Sequence, residues 1–487
     1  MGAFALLLAR EKTGLVDFAE KLSKDFGYAL VASADVALEL SKKGLEVETV
    51  ETKEALNLFD DSCSDRGILV GNFFSVEMVG REFMSWKKAL AAFDTDIVAA
   101  IRKAALQPSK FAVLGNPHDY DHTLELLAIG KGILPQSFSV TQATKALLAC
   151  AQFDASVAQY LELQAADAPD MDALSGYPKS IYHSWKRSKK VASGENLHQK
   201  AALYGTFEEH FDQLSGPDLN YQSVLDLSAA IFLIGDFERS TVSFIQRNTI
   251  LGLASGDTLA EAWAKIEKDS MSVFYEGVCI VNGSVDAEFA QSLVLLDKGT
   301  IVAPRFSSDA LKALQEKNDL RLFVSKEGIG YEALQELRSV VGGVLVQDKN
   351  RIAINPMEWV VKSFAQPSVD SWADMIFAAK ATRHLRSSMA IVVSGEKIVA
   401  QSSALPVQNW SIEQVMSSVE SSLTGRCVLA LDEKIQDVAW IKKLKQTGFN
   451  LVLHPGSLDP SQDSELSEAA NEVGLVLVAT GREQKKF

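Results

Sequence analysis

Residues Phe4–Val50 read FALLLAREKTGLVDFAEKLSKDFGYALVASADVALELSKKGLEVETV. Phe4 to Ala9 is a short apolar run, the mark of a strand buried on both faces. From Gly14 to Lys24 the apolar residues Leu15, Phe18, Ala19 and Leu22 recur at helical spacing. Tyr28 to Ala32 is apolar again, a helix follows from Asp35, and Leu45 to Val50 reads as a third strand. Strands alternating with helices predict an α/β fold, a parallel sheet covered by helices. Ile68–Val70 and Phe111–Leu114 extend the same sheet.

A helix-rich stretch, roughly Thr141 to Leu163, closes this region. The segment 165–193 is polar, contains Pro and then turns basic, which marks a domain boundary. Beyond it helices and strands alternate to the end. Strands are expected at Val344–Val346, led by Gly342-Gly343, and at Met389–Val393, Cys427–Leu431, Leu451–His454 and Leu475–Thr480. The sequence shows neither a short-period repeat nor low complexity.

A chain of 487 residues is too long for one core and implies roughly two to four domains. Acidic residues outnumber basic ones, 63 to 48, for a net charge of −15. Nucleic acid and anionic membrane surfaces are therefore not expected as partners. The basic run Lys186-Arg187-Ser188-Lys189-Lys190 reads as a solvated linker. Cys63, Cys150, Cys279 and Cys427 form no CxxC pair, and Cys150 and Cys279 read as small buried hydrophobes. Apolar Met1–Leu8 lacks a basic leader and is soon broken by Arg10, Glu11 and Lys12, so a strand is expected rather than a signal peptide. No run reaches membrane-spanning length, and a reducing cytoplasm is the expected setting.

Generic chemistry is sparse. His118 and His122 flank Asp119 and Asp121, but Pro117 marks a helix start. Asp119 as a cap, with histidines facing solvent, is expected rather than a metal site. The sequence lacks a GxSxG elbow, a P-loop, a GxGxxG turn and the HxE/PCxxC pattern of zinc deaminases. Neither a metal nor a resident cofactor is expected.

Gly194–Ala230, GENLHQKAALYGTFEEHFDQLSGPDLNYQSVLDLSAA, resembles the start of the transformylase half of the PurH family, the bifunctional AICAR transformylase/IMP cyclohydrolases of purine biosynthesis. FALLLAREKTGLVDFAEKL, VGREFMSW, DIVAAIRKAA, NPHDYDHTLELL, SGDTLAEAW, VDAEFAQSL, VVGGVLVQDKN and NEVGLVLVATGRE follow in family order. The resemblance implies a methylglyoxal-synthase-like parallel-sheet domain with C-terminal helices (1–164), a linker (165–193) and two cytidine-deaminase-like α/β subdomains without zinc (194–360 and 361–487). It also implies a homodimer sharing the transformylase site, with 10-formyltetrahydrofolate as co-substrate.

The frame resembles the family; the reactive groups do not. Where the family has a Ser-Thr-Gly-Gly-Thr phosphate turn, this chain has Ala32-Ser33-Ala34-Asp35-Val36, so Asp35 is expected to cap the helix and occupy the anion's place. The first phosphate-contacting Ser becomes Arg10, with Lys12 kept. The lysine-bearing segment is shortened around Asp60 to Gly67, the catalytic Tyr aligns with Phe73, only Asp94 of its loop survives, and the following helical Lys aligns with Leu106, although Arg102 is retained. Phe73 and Leu106 donate no hydrogen bond to a developing oxyanion.

In the second half Ala192-Ser193 replace Arg-Tyr, although Gly194, Glu195, Asn196, His198 and Gln199 remain, as a structural turn would also require. Lys-His becomes Gln246-Arg247, Lys-Ser-Asn-Ala becomes Arg386-Ser387-Ser388-Met389, Gln-Met-Ser-Arg becomes Ala404-Leu405-Pro406-Val407, and Arg-His-Phe becomes Arg482-Glu483-Gln484. The family's Ser-Asp-Ala-Phe-Phe-Pro-Phe is gone near Asp432. Glutamine cannot titrate and arginine stays protonated, so proton removal and return lose their carriers. A protein without either family activity is expected, retained as a binding, regulatory or oligomerisation partner, including association with an active homologue. The alternatives are new chemistry in a remodelled pocket built on Arg247, Arg386, Arg482 and Glu483 and taking a small-molecule ligand, and the ordinary bifunctional enzyme.

Overall fold

The computed structural model describes residues 3–59, 66–76, 86–164, 177, 180–270, 276–326, 335–420, 424–457 and 463–484. Cys63, nearly all of the shortened Asp60–Gly67 region and most of 165–179 fall outside them. The chain divides into two compact units, Met1–Ser184 and Trp185–Phe487.

The first unit is a parallel sheet of β1 (Phe4–Leu7), β2 (Ala29–Ala32), β3 (Glu48–Thr49), β4 (Gly67–Val70) and β5 (Phe111–Leu114), in the order β3-β2-β1-β4-β5. β1, β4 and β5 are buried along their whole length, which is why they read as continuous apolar runs. Leu15, Phe18, Ala19 and Leu22 of helix Leu15–Phe26 face one side of the sheet, together with Leu40 and Leu127. Ile97, Ile101, Ala146 and Phe153 pack the other side. The expected strand Leu45–Val50 shortens to Glu48–Thr49, an exposed edge pairing only with β2. The closing helix is longer than its apolar pattern indicated, Gln136–Gln164.

In the second unit β6 (Arg187–Val191) pairs antiparallel with β7 (Ala201–Tyr204). This corrects the reading of the basic run as linker: it is a strand of a two-stranded ribbon in which Lys190 is exposed, Lys189 is half-buried and donates to Gln213, and Val191 is buried. A six-stranded sheet follows, made of β8 (Phe211–Ser215), β9 (Ser240–Gln246), β10 (Thr249–Gly256), β11 (Val278–Val281), β13 (Gly299–Ala303) and β15 (Leu320–Ser325). β12 (Ser284–Val285) and β14 (Arg305–Phe306) form a small parallel pair. A protruding hairpin, β16 (Gln335–Val340) with β17 (Gly343–Asp348), comes next. The second sheet holds β18 (Val360–Val361), β19 (Ala390–Val393), β20 (Ile398–Ser402), β21 (Val428–Leu431), β22 (Leu451–His454) and β23 (Val476–Ala479).

The two large sheets repeat one design. The first runs β10-β9-β11-β13-β15-β8 and the second β20-β19-β21-β22-β23-β18. In each, an antiparallel hairpin leads to three mutually parallel strands, and the first strand of the module returns antiparallel at the far edge. A core containing Leu253, Val302, Met375, Ile391 and Leu453 draws on both modules. Trp263 and Phe289 fill the core on the other side of the first sheet, Trp440 and Ile441 that of the second.

Candidate functional sites

In the first unit the strand order reverses between β1 and β4, and an open α/β sheet offers its crevice at the carboxyl ends of such strands. Arg10 follows β1, and Asn72 follows β4. Asn72 Oδ1 accepts the backbone N–H groups of Arg10 (2.6 Å) and Glu11 (2.7 Å), while its Nδ2 donates to Glu11 O (3.1 Å). Arg10 Nε and Nη2 donate to Asp94 Oδ1 at 2.9 and 2.6 Å. That hydrogen bond raises the guanidinium's already high pKa against the effect of burial. Phe73, next to Asn72 in sequence, packs edge-on against Phe153, with ring centroids 4.8 Å apart.

Lys12 is held in the same way. Its Nζ lies 2.8 Å from Glu39 Oε1 and 3.1 Å from Asp35 Oδ2. Burial acts to lower the Lys12 pKa, but these carboxylates outweigh it. The expectation that Asp35 caps its helix is corrected. Ser33 is the N-cap residue, no side chain bonds the first-turn N–H groups, and Asp35 Oδ1 instead accepts Ser33 Oγ at 2.7 Å. Burial acts to raise the Asp35 pKa, but the Ser33 hydroxyl and Lys12 outweigh it and leave the pKa lowered. Arg10 and Lys12 thus meet carboxylates of their own chain. Arg102 pairs with Asp154 on helix Gln136–Gln164, and Leu106 lies 72% exposed at the far end of the helix that Asp94 begins. Neither joins Arg10.

The His118 segment also departs from expectation. Asn116 caps the turn by accepting His118 N–H at 2.9 Å, whereas Asp119 makes no cap bond and pairs with Lys145 at 3.0 Å. His122 faces solvent beside Glu125.

In the second unit Gln246 ends β9, and Arg247-Asn248 form the hairpin turn with φ of 51° and 57°. Two successive left-handed residues are the signature of a type I′ turn and cost a non-glycine chain strain. Asp226, on helix Tyr221–Ile234, holds this turn: Arg247 N–H donates to Oδ2 (3.0 Å) and Asn248 N–H to Oδ1 (2.6 Å). Burial raises the Asp226 pKa; those N–H groups and Gln222 work against it. The second module repeats the lock. Asp374 accepts Gly395 N–H (3.0 Å) and Glu396 N–H (2.6 Å) at the β19–β20 turn. At the next equivalent position Asn282 accepts Thr241 N–H (2.8 Å) and Asp432 accepts Met389 N–H (3.1 Å).

Two cavities adjoin across residues 386–388. One, ~570 Å³, is lined by Ser387, Ser388, Ala404–Asn409, Glu433, Gln436 and Asp437. Ser388 Oγ donates to Glu433 at 3.4 Å, and its backbone pairs with Leu405. The other, ~1200 Å³, holds Arg386 together with Asn248 of the turn. Arg482 lies elsewhere, bonded to Glu358 at 3.0 Å, and Glu483 is exposed beside it. Gly194 and Asn196 close a turn on Gln199 through the Gly194 and Asn196 N–H groups. Sequence reasoning missed Asp226 and Asp374, although both precede their turns by the same spacing. It also missed Asp236, which accepts His384 Nε2 at 2.7 Å and both reaches of Arg383 Nη1 at 3.3 Å.

An α/β protein with a crevice over a parallel sheet and a duplicated two-sheet half is the class these features define. The chain belongs to the AICARFT/IMPCHase bienzyme family, whose model matches residues 104–404. It is similar to the bifunctional purine biosynthesis protein PurH of Synechococcus elongatus, 27% identical over 99% of each chain. The PurH of Chloroflexus aurantiacus is 30% identical over 83% of this chain and 77% of its own. The solved chain titled "Crystal structure of ForH" aligns with 32% of this chain and 98% of its own, at 19% identity and a TM-score of 0.27. Among the described residues no helix is long and apolar enough to cross a membrane.

Proposed function

We propose that this PurH-family protein lacks both AICAR formyl transfer and IMP cyclisation, and serves as a binding, regulatory or oligomerisation partner in a purine-biosynthetic setting. The observation that carries this reading is the Gln246–Arg247 turn. The residues aligned with the family's Lys-His pair comprise an amide that cannot titrate and a guanidinium that stays protonated, on a turn whose backbone Asp226 fixes. The pairing of Arg10 with Asp94 and of Lys12 with Asp35 and Glu39 supports the same reading for the cyclohydrolase site.

In this reading residues 1–164 form a methylglyoxal-synthase-like domain, and 194–360 and 361–487 form two cytidine-deaminase-like subdomains, with 165–193, which ends in strand β6, between them. The matching strand order of the two large sheets supports the pair. The protein works as a cytoplasmic homodimer built through its second half, and also associates with an active homologue. A second reading, new chemistry in a remodelled pocket, draws its support from Arg386, which lines a roomy cavity. A folate-dependent formyl-transfer assay and an IMP-forming cyclisation assay on the purified chain test the proposal. Turnover in either, abolished by a substitution in the corresponding site, contradicts it.

A further inference from the structure

The ~1200 Å³ cavity of the second unit opens among hairpin β16–β17, helix Tyr221–Ile234 and the residues that follow helix Val369–Thr382. Its charge is unlike that of the chain. Arg338, Lys349, Arg351, Arg383 and Arg386 line it, with His384, against only two carboxylates, Asp236 and Glu336. The whole protein carries −15.

Both carboxylates are already engaged. Asp236 takes His384 and Arg383. Glu336 accepts Arg338 Nη2 at 2.9 Å and Gln347 Nε2 at 2.9 Å. Lys349 and Arg386 form no ion pair among the described residues. Lys349 Nζ stands 3.8 Å from the centroid of the Phe232 ring. Burial first, then the positive charge of Arg351, presses its pKa below the ordinary lysine value, against the pull of Glu336. Like charges gathered around a half-buried lysine, here with exposed Arg351 and Arg386 beside it, are unfavourable until an anion joins them. Beside them Phe232, Ile231 and Leu345 supply an apolar surface.

We propose that this cavity binds an organic polyanion, its multiply charged phosphate group held by Lys349, Arg351 and Arg386 and its flat body laid against Phe232 and Ile231. Lys349, drawn only at a distance by Glu336, and Arg386 have no ion-pair partner among the described residues, and Arg351 is near enough to perturb the first, so the match is to at least two negative charges. Arg383 and His384 are fixed by Asp236 and form the rigid rear of the site. This inference rests on the second reading, whose Arg386 lines the same cavity, and it is read by direct binding, so that its failure and a formyl-transfer rate are separate outcomes.

Calorimetry on the full chain at low ionic strength tests it, with ATP, inorganic pyrophosphate, inorganic phosphate and adenosine as probes. ATP is expected to bind more tightly than pyrophosphate, pyrophosphate more tightly than phosphate, and adenosine to give no heat. Lys349→Gln with Arg386→Gln is expected to weaken ATP about tenfold or more, and added salt to weaken it in the wild type. ATP is also expected to slow acetylation of Lys349 by acetic anhydride, followed by mass spectrometry. Absence of heat with both ATP and pyrophosphate overturns the proposal, as does ATP affinity that the double variant leaves unchanged. If the double variant melts early, the exposed single substitution Arg386→Gln is read in its place, and unchanged affinity there is equally fatal.

Discussion

Arg247 is held through its backbone: its N–H donates to Asp226 Oδ2 at 3.0 Å, and the neighbouring Asn248 N–H takes the other oxygen. Arg247 is therefore a turn residue with left-handed φ, stabilised by an acid one helix away. Removing that acid leaves two N–H groups without their acceptor in a turn that already stores strain.

Asp226→Ala is expected to lower unfolding free energy by about 2–4 kcal/mol, the cost of losing charge-assisted bonds at a partly buried site. Asp374→Ala, which opens the equivalent lock on Gly395 and Glu396, is expected to cost a similar amount. Urea unfolding of the full-length variants measures both. A loss below about 0.5 kcal/mol in either, the range of inert surface changes, would show that the locks do not stabilise the fold.

IMP is expected not to bind the first unit. A phosphate entering the crevice must displace Asp94 from Arg10 and compete with Asp35 and Glu39 for Lys12. Calorimetry with IMP should register no binding at micromolar concentrations. Micromolar binding weakened by Arg10→Ala would mean that Arg10 leaves Asp94 for the ligand.

His454 makes stability depend on pH. It is fully buried at the end of β22, and neither ring nitrogen has a hydrogen-bond partner among the described residues. Burial pushes its pKa down from 6.5 to about 4; Asp463 opposes, while Lys434 and Lys362 add to the fall. Because the folded value is the lower one, its contribution is complete above pH 6.5 and is lost as pH falls toward 4. Between pH 6.5 and 5 the chain should lose about 2 kcal/mol through this group. His454→Leu should flatten that part of the profile in urea titrations. An unchanged slope would show that the ring is not the titrating group.

The hairpin β16–β17 exposes Val340, Val341, Val344 and Leu345, and Val341 is fully exposed. A two-stranded ribbon with an apolar surface is marginal by itself and marks an interaction site. Light scattering should find a dimer at micromolar concentration, and Val341→Asp with Val344→Asp should shift it toward monomer. A wild-type monomer would remove the dimer from the account.

Much of the fold was legible because buried parallel strands leave continuous apolar runs: Phe111–Leu114 and Leu451–His454 are strands over their full predicted length. Ends were less legible. Asp35 has the chemistry of a cap, yet its carboxylate is taken up by the Ser33 hydroxyl and by Lys12, distant in sequence. The pairing of two like modules was implied by the family resemblance alone and not by any internal sequence repeat, because topology and two acid–turn contacts carry it, while the residues around Asp226 and Asp374 differ. Of the candidate residues, Arg10 and Asp94 meet, and Arg386 shares a cavity with Asn248 of the Arg247 turn; Arg102, Leu106 and Arg482 lie apart. The ion pairs that neutralise Arg10 and Lys12 depend on contacts that no local pattern encodes.

The most direct test is the rate of AICAR formylation by 10-formyltetrahydrofolate with purified full-length protein, followed by tetrahydrofolate release. The account predicts no rate above the uncatalysed background, and none after Gln246→Lys with Arg247→His alone, since Ala192, Ser193 and Ser388 still differ from the family's residues. A folate-dependent wild-type rate that Arg247→Ala abolishes would contradict it.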